Sequence, residues 1–397
     1  MAICEPGTPA FIITRYLGFV CEDASPVVTL RNPAGLENWT LPVLEVTIIV
    51  GAVLALIHAL RRRRECDPTN LVLWFGSLAY LFIIEPPLYF PEWFGMQDAM
   101  GFMFAHNVFT VDLMYDRLPL YIVCFYPAMS QVAYEIVRAL GFFDGSRWSA
   151  LRGSLVVGLV FQVFYEIFDQ LGPQLRWWAW NVPEPYYGDQ ADLLGNPSAV
   201  PLFESVPWSS AWLFATVSFA VLTLFCVLWV KNPVERGQAP GGWSLVWRTV
   251  AAGALAVLSM PVLSITTAVF GRGDDANTTA QSVIFAIQVF GIWVIGLWLL
   301  AQQSQRLRAN PVDPLPARQA AGFLRFFPWL FLGVLLVLWL VALPAYLGAT
   351  DGITAADAVP TGGTPTGSLS YVIGCYVIAV GTLVWALRRA RSVPALV

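Results

Sequence analysis

Glu85, Glu135, Glu166 and Asp169 lie inside or at the ends of long apolar runs, in a chain of 397 residues that is 57% hydrophobic and 12% charged. At the centre of a bilayer an ionisable side chain costs roughly 2.5 to 3.5 kcal/mol even by lenient scales, so four carboxylates in neighbouring segments mark a polar site. Glu166 follows Gln162 by four residues, and Asp169 and Gln170 follow Glu166 by three and four. That periodicity predicts a polar stripe on one helix, with Tyr165 beside it. Glu85 stands near the end of another apolar run, just before Pro86 and Pro87, where it can meet Glu166 or Asp169 across an interhelical pocket. Two close carboxyls in a dry pocket do not titrate independently, which leaves an acid beside an anion. Such a pair can protonate an alkene or an oxygen leaving group and then stabilise or quench the cation. The aromatic segment RWWAWNVPEPYYG follows directly, and the faces of Trp177, Trp178, Trp180 or Tyr186 suit the same developing charge. The stripe places Glu166 deeper than Asp169. Glu166 is therefore expected to be the acid, Asp169 the charge-stabilising group and Glu85 their partner, with Gln162, Tyr165 and the aromatics contacting substrate.

The bland roles are clear too. Glu166 and Asp169 could sit at a hydrated interface, paired with Arg176 or Arg117. Glu135 and Arg138 have the spacing of an intrahelical ion pair and are expected to anchor their helix, along with the Gln131 and the Tyr126, Ser130, Tyr134 rows. His106, Asp112 and Asp116 read as water-facing groups, while His58 and Glu45 read as interfacial ones. Only two histidines and six scattered cysteines without a CxxC pair occur, so no metal site is expected. Cys4 and Cys21 could form a disulfide if the N-terminus faces an oxidising compartment. No basic domain points to nucleic acid.

The elements that must position these groups are membrane helices. Nine segments are long and apolar enough to cross a hydrocarbon core, near 41–60, 71–90, 118–138, 153–171, 208–230, 245–270, 282–301, 326–347 and 369–387. The expected fold is therefore an all-α polytopic bundle. Of the 22 Lys and Arg residues, 17 fall on one side if the N-terminus is outside and the C-terminus cytoplasmic, leaving Arg15, Arg31, Arg117, Arg176 and Arg272 on the other. Arg61 to Arg64 can also bind anionic headgroups. Residues 1–40 read as an extracytoplasmic or interfacial segment, without the pattern of a cleaved signal; 41–387 read as one bundle, and 388–397 as a cytoplasmic tail. The connection 91–117 is too polar to span and reads as a re-entrant or interfacial helix. The connection 172–207 reads either as a folded lid or as an aromatic belt. Later connections, including RLRANPVDPLPARQ, read as short loops, and 349–368 as a low-complexity stretch. The second half of the chain carries no acid within its apolar runs, unlike the inverted functional repeats of many transporters.

Glu166 and Asp169, then RWWAWNVPEPYYG and VPWSSAW, together with Tyr115, Asp116, Pro119 and Tyr126-Pro127, give a stretch over about 70–230 that resembles the avermectin-type spirocyclase family of actinobacterial membrane proteins. It is more distantly similar to membrane carotenoid hydratases. The segment from Gly188 to Pro207 departs from the tighter loop of the carotenoid-related pattern. The resemblance implies cyclase-like or hydratase-like chemistry on a hydrophobic isoprenoid or polyketide-like substrate, in a bacterial plasma membrane and without an organic cofactor. Competing roles are proton-coupled transport, lipid handling, or service as a structural membrane partner that binds another protein through its aromatic surface.

Overall fold

The computed structural model describes residues 4–195, 201–271, 275–351 and 364–391. Arg272, residues 196–200 of the second long connection, 352–363 of the low-complexity stretch and 392–397 of the expected tail lie outside the described residues. Among those described, nine helices are long and apolar enough to cross a membrane. In order they are Thr40–Arg64, Thr69–Tyr89, Leu120–Ala139, Arg147–Asp169, Ser210–Glu235, Trp243–Ala268, Thr278–Ala309, Phe327–Asp351 and Leu369–Arg391, here called the first to ninth spans.

Burial sorts the spans by polarity. In the third and fourth, 83% of the most apolar stretch lies inside the protein, against 22% in the sixth. The central pair therefore carries the polar rows, and the outer spans present Leu, Val and Ile to the bilayer. The fourth span begins at Arg147, earlier than hydropathy suggests, because the Ser146 hydroxyl caps it by accepting from the Ser149 amide at 3.0 Å. The ninth span runs on to Arg391, into the stretch read as a tail. RLRANPVDPLPARQ is no simple loop either: the helix Leu315–Leu324 starts within it, nucleated by Asp313 and Pro316 and burying Ala317, Ala320, Ala321 and Phe323.

The second and sixth spans cross at glycines. A Cβ on Gly253 would stand 2.7 Å from the Gly76 carbonyl oxygen and 2.8 Å from the Tyr80 nitrogen, so the backbones touch there. Beyond this contact each helix carries proline, at Pro86-Pro87 and Pro261. Pro87 and Pro261 withhold the amides that would bond to the carbonyls of Ile83 and Val257, four residues earlier. The fifth span replaces a regular first two turns by π-helical turns over Ser210–Val217, a feature common at functional sites.

The end of the bundle beside residues 9–31 is closed by a small β cap. Strand β1 (Val28–Leu30) pairs with β3 (Val111–Leu113), and β3 with β4 (Leu118–Pro119), all antiparallel. Strand β2 (Phe104–His106) pairs with β5 (Trp178–Trp180), with Phe104 opposite Trp180 and His106 opposite Trp178. The two long connections thus form one structure. Residues 91–117 hold a 3-10 turn at Pro91–Phe94, a four-residue helix at Gln97–Met100 and the strands β2 and β3, where one re-entrant or interfacial helix was expected. Glu45 helps to impose this, since its two carboxylate oxygens accept the Thr110 and Val111 amides at 2.9 and 3.1 Å. Arg31 bridges Asp112, at 2.6 Å, and Asp116. The helix Pro9–Leu17, capped by Thr8 and by Gly18 at φ 95°, lays Ile12, Ile13 and Leu17 against Phe102, Ala105 and Ala179. Cys4 and Cys21 form a disulfide on this layer.

Gly253→Ala should separate the second and sixth spans and cost about 1 to 3 kcal/mol by overpacking. Gly291→Ala, where an added Cβ meets nothing within 4 Å, should not. Thermal unfolding in detergent distinguishes the two variants.

Candidate functional site

A cavity of about 560 Å³ lies beneath the β cap, between the second to seventh spans. Its inner wall carries Glu85, Tyr126, Tyr165, Asp169 and Ser210, and its roof carries Phe104, His106, Trp178 and Trp180. It extends outward to Ile83, which is 40% exposed, and to Pro261. The opening is therefore on the side of the bundle, where a bilayer would cover it. Among the described residues no Lys or Arg lines it.

The fourth span divides its stripe into two rows. Tyr165 and Asp169, four apart, face the cavity. Asp169 Oδ2 accepts from the Ser210 hydroxyl at 2.6 Å, and the Tyr165 and Ser210 hydroxyls are 3.2 Å apart. The π-helical start of the fifth span puts Ser209, Ser210, Leu213 and Phe214 on the same cavity. Gln162, Glu166 and Gln170 form the second row and point elsewhere. Gln162 accepts from the Trp293 indole at 2.8 Å. Gln170 donates to Glu166 Oε2 at 3.1 Å and accepts the Ser368 amide at 2.8 Å. Glu166 is fully buried but does not line the cavity. The carboxyl expected to act first thus stands behind the wall, and Asp169 stands in it.

Glu85 does share the cavity with Asp169. Its Oε1 accepts from the Tyr126 hydroxyl at 2.9 Å. Its Oε2 has no bond of ordinary geometry, although Tyr89, one turn on, has its hydroxyl within reach. Neither Glu85, Glu166 nor Asp169 has an ion-pair partner among the described residues. The arginines considered for that role are engaged elsewhere: Arg176 lies over the Tyr16 ring at 4.8 Å, and Arg117 approaches Cys21 Sγ at 3.2 Å and the Phe102 ring. Glu166 is 0% and Asp169 2% exposed, so neither stands on the outer surface of the bundle.

The aromatic segment separates by role. Trp178 and Trp180 line the cavity, and their indole N–H groups have no protein partner. They leave two donors for an oxygen-bearing ligand. Trp178 rests on Gly172, where a Cβ would fall 2.0 Å from its ring, so the glycine is what admits it. Trp177 is internal, donating to Thr40 Oγ1 at 2.9 Å and stacking near Phe168. Tyr186 packs with Tyr16 and Tyr187 in the outer layer, and Tyr187 donates to the Trp180 carbonyl. The described part of the connection folds over the cavity, and of the five aromatics of RWWAWNVPEPYYG two line it.

His106, read as water-facing, is buried in the roof. Its Nδ1 is 3.0 Å from the Tyr121 hydroxyl and its Nε2 3.1 Å from that of Tyr89. Burial drives the imidazole down to about 3, so it is neutral near pH 7. The signal that could have found it is the alternation in Phe104-Ala105-His106, a two-residue period that sends Phe104 and His106 to one face of a strand. Tyr126 and Ser210 stood in motifs noted above, but nothing local tied either to a carboxyl.

The opposite end of the bundle holds a different arrangement. Glu135 accepts from Arg138 at 2.9 and 3.1 Å and from Asn70 at 2.6 Å, and His58 Nε2 lies 3.1 Å away. Gln131 joins through Asn70, and Arg138 continues to Gln319 at 3.1 Å. His58 is buried against Phe323 rather than interfacial. This network joins four helices, in line with the anchoring role read for Glu135 and Arg138.

Comparison with known proteins found no matching family model, no matching curated protein and no matching solved structure. Among the described residues no group of three His, Cys, Asp or Glu side chains could hold a metal ion.

The two kinds of buried acid predict opposite mutational profiles. Glu135→Ala leaves Arg138 uncompensated in the interior and should cost about 3 to 5 kcal/mol. Glu85→Gln and Asp169→Asn break no ion pair and should cost less than half as much. Melting of the purified variants in one detergent gives the comparison.

Proposed function

We propose that this protein is a membrane-embedded acid–base catalyst that cyclises, hydrates or isomerises a neutral hydrophobic substrate of isoprenoid or polyketide type. The observation that carries this reading is the largely apolar cavity of about 560 Å³, open at the side of the bundle, whose lining includes Glu85 and Asp169, each with a hydroxyl partner and with no cation among the described residues. A lateral opening suits a ligand dissolved in the bilayer. The described lining contains no Lys or Arg, and a neutral substrate suits it better than a diphosphate, which would require cationic partners. The resemblance to spirocyclase-type membrane proteins points to the same chemistry.

In this mechanism one carboxyl gives its proton to an alkene carbon or a hydroxyl oxygen. The acid O–H bond breaks, a C–H or O–H bond forms, and a carbocation or departing water results. The second carboxylate and the faces of Trp178 and Trp180 stabilise the cation. Loss of a proton from a neighbouring carbon to a carboxylate completes isomerisation. Addition of water, with its proton returned to the carboxylate, completes hydration. In cyclisation an internal alkene or hydroxyl attacks the cation, and loss of a proton to the carboxylate, from a carbon beside the new cation or from the resulting oxonium, completes the reaction. Asp169 replaces Glu166 as the first choice for acid because it lines the cavity. Transport is less well supported, since the Glu135 network fills the bundle at the other end and a transport path must open there.

The capped end is assigned to the outside of a bacterial plasma membrane. The 17 basic residues gathered at the other end support this, as does the Cys4–Cys21 disulfide, which persists in an oxidising compartment. Tags on the two termini should label from opposite faces of the membrane, whereas labelling from one face rejects the topology.

A lipid and metabolite comparison of cells with and without the protein identifies the substrate. With it in hand, Asp169→Asn and Glu85→Gln should each lower turnover per folded protein by at least about tenfold. Glu166→Gln should lower it less. Full turnover in both cavity variants would remove the mechanism.

A further inference from the structure

His106 sits between two tyrosine hydroxyls in the roof of the cavity, and the count of hydrogens there has only one complete solution. A neutral imidazole has one N–H and one lone pair. If Nδ1 carries the hydrogen, it donates to Tyr121, and the hydrogen of Tyr89 is consumed at Nε2. The hydrogen of Tyr121 then has no acceptor among the described residues, and Glu85 Oε2 has no donor. If Nε2 carries it, Tyr121 donates to Nδ1, Nε2–H donates to Tyr89, and Tyr89 keeps its own hydrogen. That hydrogen can turn to Glu85, one helical turn back, whose Oε1 is already held by Tyr126. Only in this tautomer do the unassigned hydrogen and the unpartnered carboxyl oxygen belong to neighbours on one helix face, Tyr89 and Glu85, and pairing them answers the demand of buried polar groups for partners.

We infer that His106 is a positioning residue: as the Nε2–H tautomer it directs the Tyr89 hydroxyl onto Glu85, so that both carboxyl oxygens receive a phenolic hydrogen bond. The order runs Tyr121 to His106 to Tyr89 to Glu85. Resting on the catalytic reading above, this separates the two acids. Donors at both oxygens suit the carboxylate that balances a cation, which is Glu85. Asp169, held by Ser210 at one oxygen, supplies the proton. The cap therefore does more than close the cavity, since strand pairing with Trp178–Trp180 fixes where the imidazole stands.

The test needs no substrate. The chain has two histidines, so nitrogen NMR of the full-length protein in nanodiscs with labelled histidine resolves both rings, and His58→Gln assigns them. At pH 7 His106 should show a protonated Nε2 and an unprotonated, hydrogen-bonded Nδ1. Tyr121→Phe should move the Nδ1 resonance to its unbonded position and leave Nε2 protonated. In the infrared, Tyr89→Phe should shift the carboxyl band that vanishes in Glu85→Gln. A protonated Nδ1 in the wild type, a doubly protonated ring, or an unmoved Glu85 band overturns the inference. If the tautomer and the band shift are found but cavity-acid variants keep full turnover, the catalytic reading fails while the placement of His106 stands. With substrate in hand, Tyr89→Phe should lower kcat by several fold with little change in KM.

Discussion

A carboxyl enclosed by a bundle in hydrocarbon must find a partner to replace the water it has lost, and the choice of partner governs this molecule. At the arginine-rich end the partner is a cation. Glu135 is matched by Arg138, and Arg62 serves Glu65 and Asp67. Asn70 and Gln131 take up the remaining hydrogen-bonding capacity of the Glu135 group. Removing one member of such a network leaves a stranded charge, so the network holds four helices together. At the capped end Glu85 and Asp169 have hydroxyl partners and no ion-pair partner among the described residues.

The cap makes that difference possible. Its strands come from connections that are far apart in the chain, and their pairing carries His106 and Trp178 into the same roof. The fixed points beneath are small: Glu45 holds two backbone amides of the first connection, and Gly172 makes room for the Trp178 ring. Arg31 and the disulfide secure the outer layer without entering the cavity. Below, backbone contact at Gly76 and Gly253 brings the second and sixth spans together before both go on to line the opening. Rigid crossing and fitted roof thus define a lateral pocket, with the polar groups at its inner end and the apolar ones toward the bilayer.

The spans and the ion-paired anchor were legible in the sequence because both depend on local quantities. Length and hydropathy define a spanning helix wherever it packs, and Glu135 with Arg138 share one helix face. The polar character of the fourth span was equally plain. What could not be read was its division. Glu166 and Asp169 are three residues apart, hence separated by about 60° around the helix axis. That angle is small enough to read as one stripe and large enough for neighbouring helices to divide it. The seventh and ninth spans took the Gln162, Glu166 and Gln170 row, and the cavity took Tyr165 and Asp169. His106, Tyr126 and Ser210 depend still more on tertiary structure, because they reach the site from a cap strand, another span and a π-helical turn. The sequence by itself determined the number of described spans, their apolar faces and which segments carry charge, since these follow from residue type and helical period. Tertiary structure alone decided which carboxyls share a cavity and which have cations, because that depends on the rotation and crossing of helices and on strand pairing between distant loops.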